Sequence, residues 1–316
     1  MAEHPIMSTL RKSMEEYLTM RRRLGFKLHE AGQRLEDFVC FMERRRASHI
    51  SASLALTWAL KSPSVQPVIW AQRLGVVRGF ARYLSAFDPH TEIPRAELLP
   101  HRYHRRAPYL YTDEETQKIL AAALALPPAS GLRRWTYFTL IGLLSVTGLR
   151  PGEAVNLELE DVDLKEGVLT VRGSKFGKSR WVPIHSSTRD ALADYLRRRG
   201  RCLAGRPETH VFITSQGKPL SGDMVSHTFT ALTREIGLRD SSAKRAPRLI
   251  DYRHLFAVTT LARLDRSGKD PVRWLPVLST FLGHQWARDT YWYVEQHPEL
   301  MKQAMKRLER RWKDVS

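Results

Sequence analysis

Cysteine is nearly absent. Cys40 and Cys202 are the only two among 316 residues, and a pair so far apart offers no disulfide framework; a reducing cytoplasm, with its nucleoid, is the compartment such usage fits. Long apolar runs are missing as well. The longest mainly apolar stretch, Trp135 to Val146, is interrupted by Thr139 and Gly142 and falls short of the ~20 residues a membrane-spanning helix needs. The N-terminal residues MAEHPIMSTLRKSMEEY hold no apolar signal core. Acidic residues are in deficit: 33 Asp and Glu face 51 Lys and Arg, for a formal charge of +18. A field of that size draws polyanions in. With a membrane surface disfavoured, nucleic acid is the partner the composition points to. There is no P-loop, no acidic metal cluster and no internal repeat, so no cofactor, metal or nucleotide is expected.

The hydrophobic share, 42%, is that of an ordinary globular protein, and the length suits two domains. Helical spacing recurs through the first ninety residues. It predicts helices over 10–24, with Arg21, Arg22 and Arg23 as a basic patch, over 30–46, around 51–60, and over 67–86. From Asp88 to Pro108 the periodicity stops, and four prolines with a basic run ending at Arg106 read as a linker. His101 and His104 have metal-like spacing, but with no Cys, Asp or Glu beside them a phosphate-contacting or solvated linker is the better reading. The expected division is residues 1–88 as a helical domain, 89–110 as linker and 111–316 as a second domain. Thr112 and Glu115 form a capping box at the entry of that second domain. One β signal stands out, Val168 to Val171, a turn of Gly173 to Ser179, and Trp181 to Ile184. After Ser186 the pattern is helical again, near 187–199, 221–237, 250–264, 271–282 and 297–312. The fold class is therefore mainly α with a small antiparallel β-sheet.

Four patches carry chemistry. In TGLRPGE, Thr147 to Glu153, Gly148 breaks an apolar helix, Arg150 follows, and Pro151 can open the next helix; an arginine at such a junction can fork onto phosphate oxygens. The turn GSKFGKSR, 173–180, bears two lysines and an arginine, taken alone a solvated hairpin tip. DYRHLFA, from Asp251, sets Arg253 at a helix start, where the helix dipole favours an anion. In FLGHQWARDTYWYV, Gly283 ends a helix, His284 follows, and Tyr293 lies nine residues further on.

Taken in order and at these spacings, the four patches resemble the tyrosine recombinase, or phage integrase, family. The resemblance covers roughly Tyr111 to Tyr293, and the helical first domain is similar to the family's core-binding domain. It implies an enzyme that cuts and rejoins double-stranded DNA through a 3′-phosphotyrosyl link. On that resemblance Arg150 is the first catalytic arginine, supported by Glu153; Arg253 is the second; His284 belongs to the third motif; and Tyr293 is the nucleophile, with Tyr291 the nearby competitor and Tyr252 a distant one. Counting back from Trp181 matches Lys175 to the family's general-acid lysine, whereas Lys178 falls where a second, non-catalytic basic residue often stands. One position departs: where the family has a histidine or lysine three residues before the arginine, this chain has Ile250, so that either the site works with one fewer polar group or a neighbour such as Arg248 or His254 substitutes.

The resemblance also implies a tetramer on two DNA sites, of this chain alone or together with related recombinases, with both domains clamping the duplex. The final helix, 297–312, carries Leu300, Met301, Met305 and Leu308 on one side, for packing either on its own domain or on a neighbouring protomer. With no separate arm-binding segment before Leu10, a mobile-element integrase or transposase is expected rather than a large integrase of the two-site type. The alternatives are an accessory DNA-binding subunit, suggested by Ile250, and a type IB topoisomerase, which uses similar residues.

Overall fold

A computed structural model describes residues 5–100, 107–173, 177, 179–239, 246–284, 286, 288–295 and 305. The chain divides into two units, Met1–Arg106 and Ala107–Ser316. In the first, helices α1 (Pro5–Arg23), α2 (His29–Arg44), α3 (Ala52–Ala59) and α4 (Pro67–Leu84) enclose one core. Leu10, Met14, Tyr17 and Leu18 recur on one face of α1, and Leu35, Phe38, Val39 and Met42 on one face of α2; all are buried. Trp58 fills the centre and satisfies its indole N–H on Asp37 at 3.0 Å. Ser51 caps α3 by accepting from the Leu54 N–H, and Pro67 opens α4.

The stretch read as a linker is only partly one. Arg78 on α4 donates to the carbonyls of Pro94 and Arg95 at 2.7 and 2.8 Å, Glu92 N donates to Ile50 O at 2.7 Å, and Leu99 is buried in the first core. Loss of periodicity signals loss of helix here, not loss of packing. His101, His104 and the basic run to Arg106 lie outside the described residues.

The second unit is built around α6 (Leu132–Thr147), which is flanked by α5 (Asp113–Leu124), α8 (Ser186–Leu203) and α10 (Asp251–Arg266). Its apolar residues run all round, as a helix enclosed by partners requires: Tyr137, Leu140, Ile141, Leu143 and Leu144 are buried. The Thr112–Glu115 capping box forms, and it starts α5. A short α7 (Pro151–Val155) follows α6, with Pro151 in its first turn. The sheet has three antiparallel strands in the order β1 (Val162–Asp163), β2 (Val168–Val171) and β3 (Arg180–Pro183), with Leu169 opposite Val182 and Thr170 opposite Trp181. The first strand is two residues long and leaves no period to read in the sequence. Residues 204–220, between the helices expected near 187–199 and 221–237, form turns with two isolated bridges, Glu158 to His210 and Ile213 to Pro219.

The remaining helices are α9 (Gly222–Glu235), α11 (Pro271–Leu282) and α12 (Arg288–Glu295). The last of these is not expected from the sequence, since Tyr291 to Val294 is a run of aromatic and β-branched residues with poor helix propensity. Tertiary packing on α10 and α11 overrides that preference. Apart from Met305, the expected C-terminal helix lies outside the described residues. No described helix is long and apolar enough to cross a membrane.

Candidate active site

Two glycines shape the pocket. Gly148 ends α6 at φ +63°, and a Cβ there would meet the Phe256 ring at 2.7 Å; Gly283 ends α11 at φ +66°, and a Cβ there would lie 2.9 Å from Arg180 Nη1. Both need a left-handed backbone and an absent side chain. The chain then turns sharply, and Arg150 follows the first glycine as His284 follows the second.

Arg150 is held by Glu153, whose carboxylate accepts from the Arg150 backbone N–H at 3.0 Å and from Nη1 at 2.6 Å; Nη2 donates to Gly283 O at 3.2 Å. Arg253, on the first turn of α10, is 2% exposed. Its Nη1 donates to Gly148 O at 2.9 Å and its Nη2 to Leu282 O. These carbonyls lie at the C-terminal, negative ends of α6 and α11, which offset part of the cost of burying the cation. Burial, and then the nearby charge of Arg150, still pull the Arg253 pKa down to about 10, while Tyr293 and Glu153 act the other way. It remains a cation at neutral pH.

His284 donates its backbone N–H to Ser279 O at 2.9 Å. Its Nδ1 is 2.8 Å from Thr290 Oγ1 and its Nε2 3.4 Å from the Tyr293 hydroxyl. Burial first, then Arg253 and Arg150, lower its pKa to about 3, against the opposing charge of Asp289. The imidazole is neutral at pH 7. Tyr293 is 3% exposed and its ring stacks on His284 with centroids 5.7 Å apart; the His254 ring lies 5.2 Å away. Tyr291, two residues earlier on the same helix, is 48% exposed. Tyr252 is a core residue, stacked on Tyr111 at 4.2 Å.

Arg150, Arg253, His284 and Tyr293, spread over more than 140 positions of sequence, thus converge on one pocket. Lys175 and Lys178 lie outside the described residues. Ile250 sits half-buried just before α10. Among the described residues no His, Cys, Asp and Glu cluster could hold a metal. Two guanidiniums beside a tyrosine hydroxyl and a neutral imidazole suit nucleophilic attack on a phosphate ester.

The model of the phage integrase family matches residues 110–299, more than half of the chain. The chain belongs to the phage integrase family. It is a tyrosine recombinase, of the class of enzymes that cleave and rejoin DNA. A protein of Sinorhizobium fredii named an integrase/recombinase, y4rB, is 52% identical to this recombinase over 312 residues, spanning 98% of this chain and 99% of that one. Tyrosine recombinase XerA of Pyrococcus furiosus is 30% identical over 200 residues, 63% of this chain and 62% of that one. Among solved structures, the Tn1549 transposon integrase in complex with transposon right end DNA has the same fold, with a TM-score of 0.65 at 16% identity over 94% of this chain and 99% of that one.

Two residues of the recombinase's pocket are not evident from sequence. Arg180 reads there as one more cation of the hairpin tip, yet its Nη1 and Nη2 donate to the two oxygens of Glu153 at 3.1 and 2.7 Å and its Nε to Phe281 O at 2.7 Å. The strand alternation holds the signal: Arg180 shares a face with buried Val182, while Trp181 between them is 76% exposed. Thr290, 1% exposed, is the other, and nothing in the sequence marks it without knowledge of α12.

Proposed function

We propose that this recombinase breaks and rejoins double-stranded DNA through a covalent 3′-phosphotyrosyl intermediate on Tyr293, and that it serves a mobile element. One observation carries the reading: the buried Tyr293 hydroxyl lies 3.4 Å from His284 Nε2, in a pocket with two arginine side chains fixed by helix-end carbonyls. The phenol oxygen attacks the scissile phosphorus. Arg150 and Arg253 stabilise the charge that develops on the non-bridging oxygens, and they are oriented before substrate arrives, which is where such stabilisation gains its strength. Lys175, carried on the hairpin, protonates the departing 5′-oxygen as general acid. Attack of a 5′-hydroxyl on the phosphotyrosyl bond reverses the step and seals a strand. Glu153, itself held by Arg180, positions Arg150. A homo-tetramer on two duplex sites, with both units of each protomer binding DNA, completes the proposed exchange.

The charge of +18 supports a duplex partner. The mobile-element role is supported by the y4rB relative, named an integrase/recombinase, and by the fold shared with an integrase bound to transposon DNA. The test uses nicked suicide duplexes made from the DNA that flanks the gene. Wild-type protein is expected to form an SDS-resistant protein–DNA adduct, and Tyr293→Phe to form none. An adduct that survives Tyr293→Phe but is lost in Tyr291→Phe would overturn the assignment. No adduct on any flanking sequence favours an accessory subunit. Relaxation of supercoils without exchange between two sites favours a topoisomerase. Circular junctions amplified from cells carrying the gene are the outcome expected of a mobile-element enzyme.

A further inference from the structure

Ile250 can accept no proton, so the pocket must remove the Tyr293 proton by another group. We infer that His284, oriented by Thr290, is that acceptor. The inference rests on reading Tyr293 as the nucleophile.

The geometry gives the imidazole two distinct neighbours. Nδ1 lies 2.8 Å from Thr290 Oγ1, and Nε2 lies 3.4 Å from the Tyr293 hydroxyl. Thr290 and Tyr293 are three residues apart on α12, one above the other on the same face. A neutral imidazole carries its single proton on one nitrogen, and the partner of that nitrogen selects which. Nδ1–H donating to Thr290 Oγ1 leaves the Nε2 lone pair toward the phenol. Threonine is a neutral partner, so it can accept from Nδ1–H in this tautomer and hold the ring in place without drawing a second proton onto it.

The charges around the ring suit an acceptor. Arg150 from the α6–α7 junction, Arg253 from α10 and Arg180 from β3 all oppose protonation; Asp289 from α12 favours it; the Tyr293 ring stacks on the imidazole, and His254 lies against Tyr293. The resting imidazole therefore offers its lone pair throughout the neutral range. A bound phosphate adds negative charge between the two guanidiniums, and the imidazolium formed during the step is then tolerated. In that step the Tyr293 O–H proton passes to His284 Nε2, the phenol O–P bond forms, and the P–O5′ bond breaks as the leaving oxygen takes a proton from Lys175. Rejoining returns both protons.

Single-turnover cleavage of the suicide duplex tests this, with the scissile group either a phosphodiester or a neutral methylphosphonate. His284→Gln is expected to lower cleavage by about 10²-fold with duplex affinity unchanged, and the loss should persist on the methylphosphonate, where there is less charge to stabilise but the same proton to remove. Thr290→Val should show part of that loss and Thr290→Ser regain it. Ile250→His should restore part of the activity of His284→Gln by supplying a second acceptor. The inference is overturned if the His284→Gln defect disappears on the methylphosphonate, or if Thr290→Val, folded by its melting curve, cleaves both substrates like wild type. An adduct formed by Tyr293→Phe instead sinks the underlying nucleophile assignment and is read separately.

Discussion

Glu153 holds two guanidiniums with one carboxylate, and its side chain is only 7% exposed. Burial alone would raise its pKa; hydrogen bonds from Arg180 and from the Arg150 backbone outweigh that and bring it from the usual 4.5 to about 2. At ~1.4 kcal/mol for each tenfold in proton affinity, the ionised carboxylate contributes about 3 kcal/mol at neutral pH. The folded pKa lies below the unfolded one, so this stability is present above pH 4.5 and is lost as pH falls toward about 2. Glu153→Gln is therefore expected to melt well below wild type at pH 7, with the gap closing as both are taken to pH 3. Equal melting temperatures at pH 7 would mean that the carboxylate adds no net stability. At this scale the sequence is most legible where backbone constraint and chemistry coincide. Gly148 with Arg150, and Gly283 with His284, are short signals because the glycine is forced by φ and by space. Arg180 and Thr290 act through other side chains: strand alternation shows that Arg180 faces inward but not that its partner is 27 positions away, and no local rule marks Thr290.

The hairpin strand β3 is tied into the pocket by one residue. Arg180 joins the strand to Glu153 and, through Phe281 O, to the end of α11, and Gly283 leaves the room for its guanidinium. A planar fork can span both carboxylate oxygens and a lysine cannot. Arg180→Ala should cost about 3 kcal/mol, and because it shares a network with Glu153, the double variant with Glu153→Gln should cost clearly less than the two single changes added together. Arg180→Lys should keep more of the stability than Arg180→Ala yet lower the rate of cleavage, since the lysine-bearing hairpin is anchored by this interaction. Additive denaturation energies would refute a shared network. The sheet is legible in its two longer strands, where alternation is unbroken. Helix α12 is not, for it is eight residues long and Asp289 to Val294 are poor helix formers, held by their neighbours. Long periodic helices such as α6 and α11 are readable to within a residue because their own pattern suffices.

Charge is distributed over the whole molecule. Of the +18, the first unit supplies +8, from 18 basic and 10 acidic residues, and the second +10, from 33 and 23. The excess in each unit fits the proposal that both hold the duplex. Not every cation is free to do so: Arg78 is spent on backbone carbonyls and Arg199 on His210 O and Glu208 O. Arg22 and Arg23, exposed at the end of α1, are better placed. Each neutralised phosphate releases condensed counterions, so a clamp that engages roughly six to ten phosphates should lose about 10³-fold or more in affinity between 50 and 200 mM salt. Tyr293→Phe should show the same salt slope as wild type, since it changes no charge. Arg22→Gln with Arg23→Gln should weaken binding evenly across sequences and flatten the slope by about one for each phosphate that is no longer neutralised. A slope unchanged by the double substitution would mean that this end of the first unit stays off the DNA, and binding would then rest on other residues of that unit or on the second unit alone.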